Sequence, residues 1–307
     1  DLRNNGGGSL SEANQLVGLF IESGATVQIR YSGIRNGFVR AFGDNDPEVH
    51  YAGPLAVLVN RTSASASEIF AGAIQDYQRG IILGGQTFGK GTVQEIIPMD
   101  YGQVKLTRSK FYRISGVSTQ HRGVLPDIEF PDFYDAYDDI GESSLDGALP
   151  WDTVRPVEYR AYHSIKALLP ELRKQHEERA EVSADFIYIA DQIDRTKTMR
   201  SREQLSLNEE VVKLEREESR RTEFDAENMR RLLKGLPLKE WVANVDEVHD
   251  EEPMPSSDDV NDLAPDLEIA EVDEGDPLLL ESGRILVDFI ALNQRRLSSV
   301  NDFPNAR

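Results

Sequence analysis

The chain has 307 residues, 39% of them hydrophobic and 29% charged, and a formal net charge of −20. That length allows two modest domains or one domain with an extension, and the acidity argues against nucleic-acid binding, which needs concentrated Lys and Arg. Cysteine is absent, so disulfide frameworks, thiolate zinc sites and cysteine nucleophiles are excluded; no apolar run approaches the length of a bilayer span.

Asp1-Leu2-Arg3-Asn4-Asn5-Gly6 reads as the exit of a strand entering a turn, with the strand itself upstream, so the chain is expected to be the later part of a longer protein. It carries no targeting pattern of its own. Ser9 is a candidate N-cap for an amphipathic helix through Leu10, Ala13, Leu16, Val17, Phe20 and Ile21, ending near Ser23-Gly24. Thr26 to Tyr31 alternates as a strand, and Ser32 to Tyr51 reads as a hairpin or irregular connection. The nearly all-apolar run Pro54 to Asn60 predicts a strand buried on both faces.

From Ser65 the period becomes helical through Ile69, Phe70, Ala73, Ile74 and Tyr77, with Gly80 expected as the C-terminal stop. Ile81 to Leu83 predicts a short buried strand, Gly84 to Gly91 a tight loop, and Thr92 to Ile97 a strand that Pro98 ends. Val104 to Ile114 is its expected hairpin partner, and Gly116 to Asp127 closes a layered α/β core over residues 1–150. The rest, 151–307, reads as mainly helical: Ala161 to Leu169, Pro170 to Ile193, and Ser206 to Leu233 with opposite-charge options such as Glu217–Arg221. Asp246 to Asp276 is acidic and poor in aromatics, an expected flexible linker, and Leu278 to Leu292 has a helical apolar pattern that could dock back on the body.

The chemistry concentrates between Ser63 and Gln94. Ser65 falls where a buried strand gives way to a helix, the place where free helix N–H groups can face a developing oxyanion. Ser65-x-x-Glu68 is equally a capping box, and the two readings are compatible. The five histidines, His50, His121, His163, His176 and His249, sit in no recognisable motif. Lys90, in Phe88-Gly89-Lys90-Gly91, is the better candidate base, because burial would lower its pKa and leave a neutral amine. The bland alternative is a surface lysine in a glycine turn. Gly84-x-x-x-x-Gly89-Lys90 begins like a phosphate-binding loop, but Gly91 stands where Ser or Thr would hold magnesium and a strand follows, so no nucleotide is expected.

Together, Asp1-Leu-Arg-Asn-Asn-x-Gly-Gly8, Ser65-Ala-Ser-Glu68 and Phe88-Gly-Lys-Gly-x-Val-Gln94 resemble the carboxy-terminal processing peptidases, the tail-specific protease family. Gly123-Val-x-Pro-Asp127, Gly147-Ala-Leu-Pro-Trp-Asp152 and the charged helical tail extend that resemblance over essentially the whole chain. It implies an α/β (α+β) serine-protease core of ClpP/crotonase-like type followed by a helical C-terminal domain. It also implies Ser65 as nucleophile, Lys90 as general base and Gln94 as the group orienting the lysine. Backbone N–H groups of Gly7 or Gly8 and of Ala66 would form the oxyanion hole. Asp76 falls where members carry an aspartate proposed to matter for activity, the alternative being a structural role near the helix end.

The same resemblance implies no metal or cofactor, and protein substrates with apolar, unstructured carboxyl termini, in the periplasm or at the periplasmic face of the inner membrane. A helical-repeat lipoprotein adaptor is an expected partner. Family members also carry a substrate-capturing PDZ domain, expected upstream of Asp1 in the parent chain. The rival reading is a truncated, inactive product whose helical tail serves only as a binding or scaffold element.

Overall fold

The computed structural model describes residues 1–31, 38–137, 139–202, 204–241 and 275–301. The expected linker lies outside them except for its last two residues, Gly275 and Asp276, and so does His249. The fold grows around one short parallel sheet. β3 (Ala56–Val59) pairs in parallel with β4 (Ile81–Gly84), which pairs in parallel with the two-residue β7 (Ile128–Glu129). Before it in the chain come α1 (Leu10–Gly18), β1 (Gly24–Tyr31) and β2 (Phe38–Asp44).

Side chains alternate across a strand, and both faces of this sheet are covered. Val57, Val59 and Ile82 meet Phe70, Ala73 and Ile74 of α2 (Ala66–Asp76), together with Val17 and Ile21. Leu58, Ile81 and Leu83 face the opposite way, into the helices α3 (Ile165–Ala180), α4 (Ala184–Arg200) and α6 (Pro277–Asn301), through Leu169, Leu172, Phe186, Ile285 and Phe289. The all-apolar run at β3 is thus explained by burial on two sides. The helical segment is a layer of the core, not an appendage to it.

A second, antiparallel sheet has the order β2-β1-β6-β5, where β5 is Thr92–Pro98 and β6 is Gln103–Tyr112. Val27, Ile29 and Phe111 from this sheet pack against Ala66 and Ile69. The central helix α2 therefore lies between two sheets, and every residue from Ala66 to Ile74 is buried. Its N-terminus begins just after Ser65.

Several boundaries differ from the sequence expectation. α2 ends at Asp76, and the left-handed residue after it is Gln78 (φ 48°), so the stop is not Gly80. Gly80 is instead small for packing, since a Cβ there would lie 2.9 Å from Leu55. The break expected at Pro170 comes later. Pro170 sits inside α3, whose early turns are anchored by buried Ile165, Leu169 and Leu172, and the chain re-caps at Ser183, which accepts from Phe186 N. The long α5 (Glu209–Leu233) buries none of its residues, as its charge density predicts, but Arg221 pairs with Asp225 (3.5 Å) and not with Glu217.

Candidate active site

Three serines, Ser63, Ser65 and Ser67, flank the start of α2, and two of them have their hydroxyls engaged. Ser63 Oγ donates to Leu2 O (2.7 Å), and Ser67 Oγ donates to Asn5 O (3.0 Å) and its Oδ1 (2.9 Å). Ser65 Oγ donates to no acceptor among the described residues. Its backbone sits at φ 56°, ψ −111°, a conformation that costs a non-glycine residue about 1–3 kcal/mol and persists only where surrounding structure over-determines it. Such a strained strand-to-helix turn pushes a side chain out of the fold at the positive end of a helix.

The over-determination has an identifiable source in Glu68. Its side chain is fully buried, and it accepts four hydrogen bonds. Oε2 takes the backbone N–H groups of Ser65 (2.8 Å) and Lys90 (3.0 Å), while Oε1 takes Gly89 N (2.8 Å) and Thr87 Oγ1 (2.6 Å). One carboxyl therefore ties the serine turn to the lysine loop. Burial pushes Glu68 up to about 7, and the four hydrogen bonds oppose that rise. Sequence reading saw only the capping arm to Ser65. The three partners in the lysine loop lie some twenty positions further along the chain, and only the packing of α2 against that loop brings them in.

Lys90 is half-buried, and desolvation pushes its ammonium below the ordinary lysine range. The charge of Lys105 acts in the same direction, while Glu142 and Glu68 oppose it. The loop is clamped from behind as well. Gln120 accepts from Gly91 N (2.9 Å) and donates to Glu142 (2.8 Å), both contacts being buried. Gly89 adopts φ 95°, and a Cβ there would lie 2.8 Å from the His121 carbonyl carbon, so only glycine fits this crossing. β5 follows directly, where a phosphate-binding loop would continue into a helix.

The glycine segment packs against the serine turn. Ala64 N donates to Asn5 O (3.0 Å), and a Cβ on Gly7 would fall 2.6 Å from Ala64 O and 2.7 Å from Ala66 N. Gly7 N–H is held by Asn5 Oδ1 (2.9 Å). Gly8 N and Ala66 N donate to nothing among the described residues. Asn5, which lies in the Asp1-to-Gly8 motif but drew no role of its own from the sequence, is the hinge of this arrangement.

Two expected residues stand apart. Gln94 is exposed, just past a register shift in the pairing of β5 with β6, and no hydrogen bond joins its amide to Lys90 among the described residues. Asp76 ends α2, about 16 Å along the helix from Ser65. There it takes Arg113 Nε (3.1 Å) and Nη2 and Ser115 Oγ (2.9 Å). It pins the loop after β6 and does not touch the serine turn. No histidine hydrogen-bonds Ser65, and no metal-binding cluster occurs, among the described residues.

A serine on a strained turn at a helix N-terminus, the unpaired Ala66 N–H next to it and a half-buried lysine on a loop bonded to the same carboxyl are the group types that serine-hydrolase chemistry uses. Comparison with known proteins identifies the family. Residues 1–130 match the model of peptidase family S41, and residues 136–291 match that of the C-terminal domain of tail specific protease. The chain belongs to the tail-specific protease family. It is 36% identical to the tail-specific protease of Haemophilus influenzae over 320 aligned positions, which is 100% of this chain and 42% of that protein. The carboxy-terminal-processing protease of Bartonella bacilliformis is 42% identical over 48% of this chain and 35% of its own length. A solved photosystem II D1 C-terminal processing protease matches at 39% identity and a TM-score of 0.37, covering 42% of this chain and 33% of its own. The chain thus spans less than half the length of these relatives.

Proposed function

We propose that the chain carries the catalytic residues of a serine endopeptidase that works by acyl transfer. Neutral Lys90 takes the Ser65 proton as Oγ attacks the peptide carbonyl, and the developing oxyanion is met by Ala66 N and Gly8 N. Gly7 serves chiefly as the small residue that lets this segment approach. Lys90 returns the proton to the departing amine, and water then hydrolyses the acyl-enzyme with Lys90 as base again. Gln94 orients the lysine amine once substrate closes over the bulge, and Asp76 is a positioning residue acting through Arg113. The observation that carries the reading is the single Glu68 carboxyl, bonded to the backbone of both Ser65 and Lys90.

The substrates are polypeptides with apolar, unstructured carboxyl termini in the bacterial cell envelope. A PDZ domain of the parent chain and a helical-repeat lipoprotein adaptor would supply capture. In the full-length protein, Ser65→Ala and Lys90→Ala should each abolish cleavage of a peptide with an apolar C-terminus; near wild-type turnover in either ends the assignment. Gln94→Ala should lower kcat by up to about 10²-fold with no change in melting temperature, since the side chain is exposed.

A further inference from the structure

The sheet that carries Lys90 into β5 ends in a feature that a folded core does not need. β1 pairs with β6 only from Ser109 to Tyr112, so β6 from Gln103 to Arg108 and β5 opposite it project as a two-stranded ribbon. β5 is the last strand of its sheet, leaving one edge unpaired among the described residues. The ribbon is also apolar where it should be polar. Ile96 is 62% exposed and the turn residue Tyr101 98%, and Met99, Val104 and Leu106 are exposed as well.

The register sorts these side chains onto two faces. Ile96 shares one face with its partner Lys105 and with Gln94 and Thr107. Ile97, Val104 and Leu106 occupy the other, beside the Glu95–Arg108 pair (3.3 Å). A bare edge flanked by apolar side chains on both faces is a template for another strand. Natural edges usually block this with charge or proline, yet the Glu95-Ile96-Ile97 stretch of β5 has one paired acid and no proline before Pro98.

We propose that the free edge of β5 binds the substrate itself: an extended stretch of the polypeptide adds as a strand there and is delivered to Ser65. The inference rests on the Ser65–Lys90 reading and names what that site takes. Continuity with the site identifies the occupant. Gly91 O accepts from Phe111 N (2.9 Å) and Lys90 N is fixed on Glu68, so β5 leaves the lysine with no slack. At about 3.3 Å per residue, Ile96 stands some six residues from the lysine. Residues of the substrate up to about six positions from the scissile bond can therefore lie along the ribbon. An added strand points successive side chains to alternate faces. Apolar residues on both faces of the edge, Ile96 on one and Ile97 on the other, would favour a continuously apolar stretch of substrate over an alternating one.

The test combines altered substrates with altered ribbons in the full-length protein. An apolar peptide is N-methylated at one backbone amide at a time, outward from the scissile bond. Strand addition predicts KM raised about three- to tenfold at alternate positions, the intervening ones being unaffected. Ile96→Asn with Leu106→Asn alters only exposed side chains. It should raise KM about tenfold for a long apolar peptide while kcat and the labelling of Ser65 by a small fluorophosphonate stay unchanged. Uniform sensitivity to N-methylation, or an unchanged KM in the ribbon variant with Ser65 still labelled, overturns strand addition alone. So does a loss of self-association in that variant without a change in KM, which would give the edge to a second copy. If wild-type Ser65 is neither labelled nor active, the Ser–Lys reading falls, and this inference with it.

Discussion

Replacing Glu68 by Gln tests whether one buried carboxyl holds the site together. Each carboxylate oxygen accepts two hydrogen bonds, and a glutamine amide offers only one accepting atom. The best orientation turns the new NH2 toward Thr87, whose hydroxyl can accept, leaving Gly89 N orphaned. An orphaned buried donor costs about 1–3 kcal/mol. The pH dependence is more specific. Glu68 is raised from 4.5 to about 7 by burial, so it contributes stability that is fully present below about 4.5 and lost as pH rises through about 7. That contribution is worth about 3 kcal/mol. Glutamine does not titrate. The variant's deficit should therefore be larger by about 3 kcal/mol at acid pH than at pH near 8, where it should shrink to about 1–3 kcal/mol. Melting followed by circular dichroism across this range reads both values. With Ser65 and Lys90 less firmly registered, kcat should fall on the order of 10²-fold. A deficit that is constant, or that grows toward alkaline pH, would mean the four donors keep Glu68 ionised throughout, and would refute the balance given to burial. An unchanged melting temperature and kcat would remove the clamp altogether.

Gly7→Ala would place a Cβ 2.6–2.7 Å from backbone atoms of Ala64 and Ala66 at φ 98°, where nothing flexible can yield; kcat should drop on the order of 10²–10³-fold with a smaller change in KM, and a kcat within twofold of wild type would separate this segment from the oxyanion. Asp76→Asn leaves Arg113 largely buried without its counter-charge, at a cost of about 3–5 kcal/mol. Adding Arg113→Gln should restore at least about 1 kcal/mol of that loss in a double-mutant cycle by urea denaturation; additive losses would show that the pair is not what Asp76 provides.

The layered core was legible because its signal is local. β3 is apolar at every position since helices cover both faces of its sheet, and Ser9 caps α1 as its side chain implies. Ser65 and Lys90 were legible as residue types in small-residue surroundings. The acceptor that joins them was not, because the partners of Glu68 beyond Ser65 come from a loop that only tertiary packing brings close. β7 was missed as well: two residues leave no period to detect. Arg221 has an acid one helical turn away on either side, and pair energies of a few tenths of a kcal/mol do not choose between Glu217 and Asp225 from sequence. Gln78 closes α2 in a left-handed conformation that pattern assigns to glycine, so the expected stop fell two residues late.

The central claim is that a half-buried, neutral Lys90 activates Ser65, and the pH dependence of Ser65 modification by a small fluorophosphonate tests it most directly. Burial and Lys105 lower the lysine pKa. The labelling rate should therefore rise with pH along a single titration whose midpoint lies below the ordinary lysine value of 10.5. Lys90→Ala should erase that titration and slow labelling by at least about 10²-fold. A rate that is flat with pH, or a titration that survives the loss of Lys90, would contradict the account.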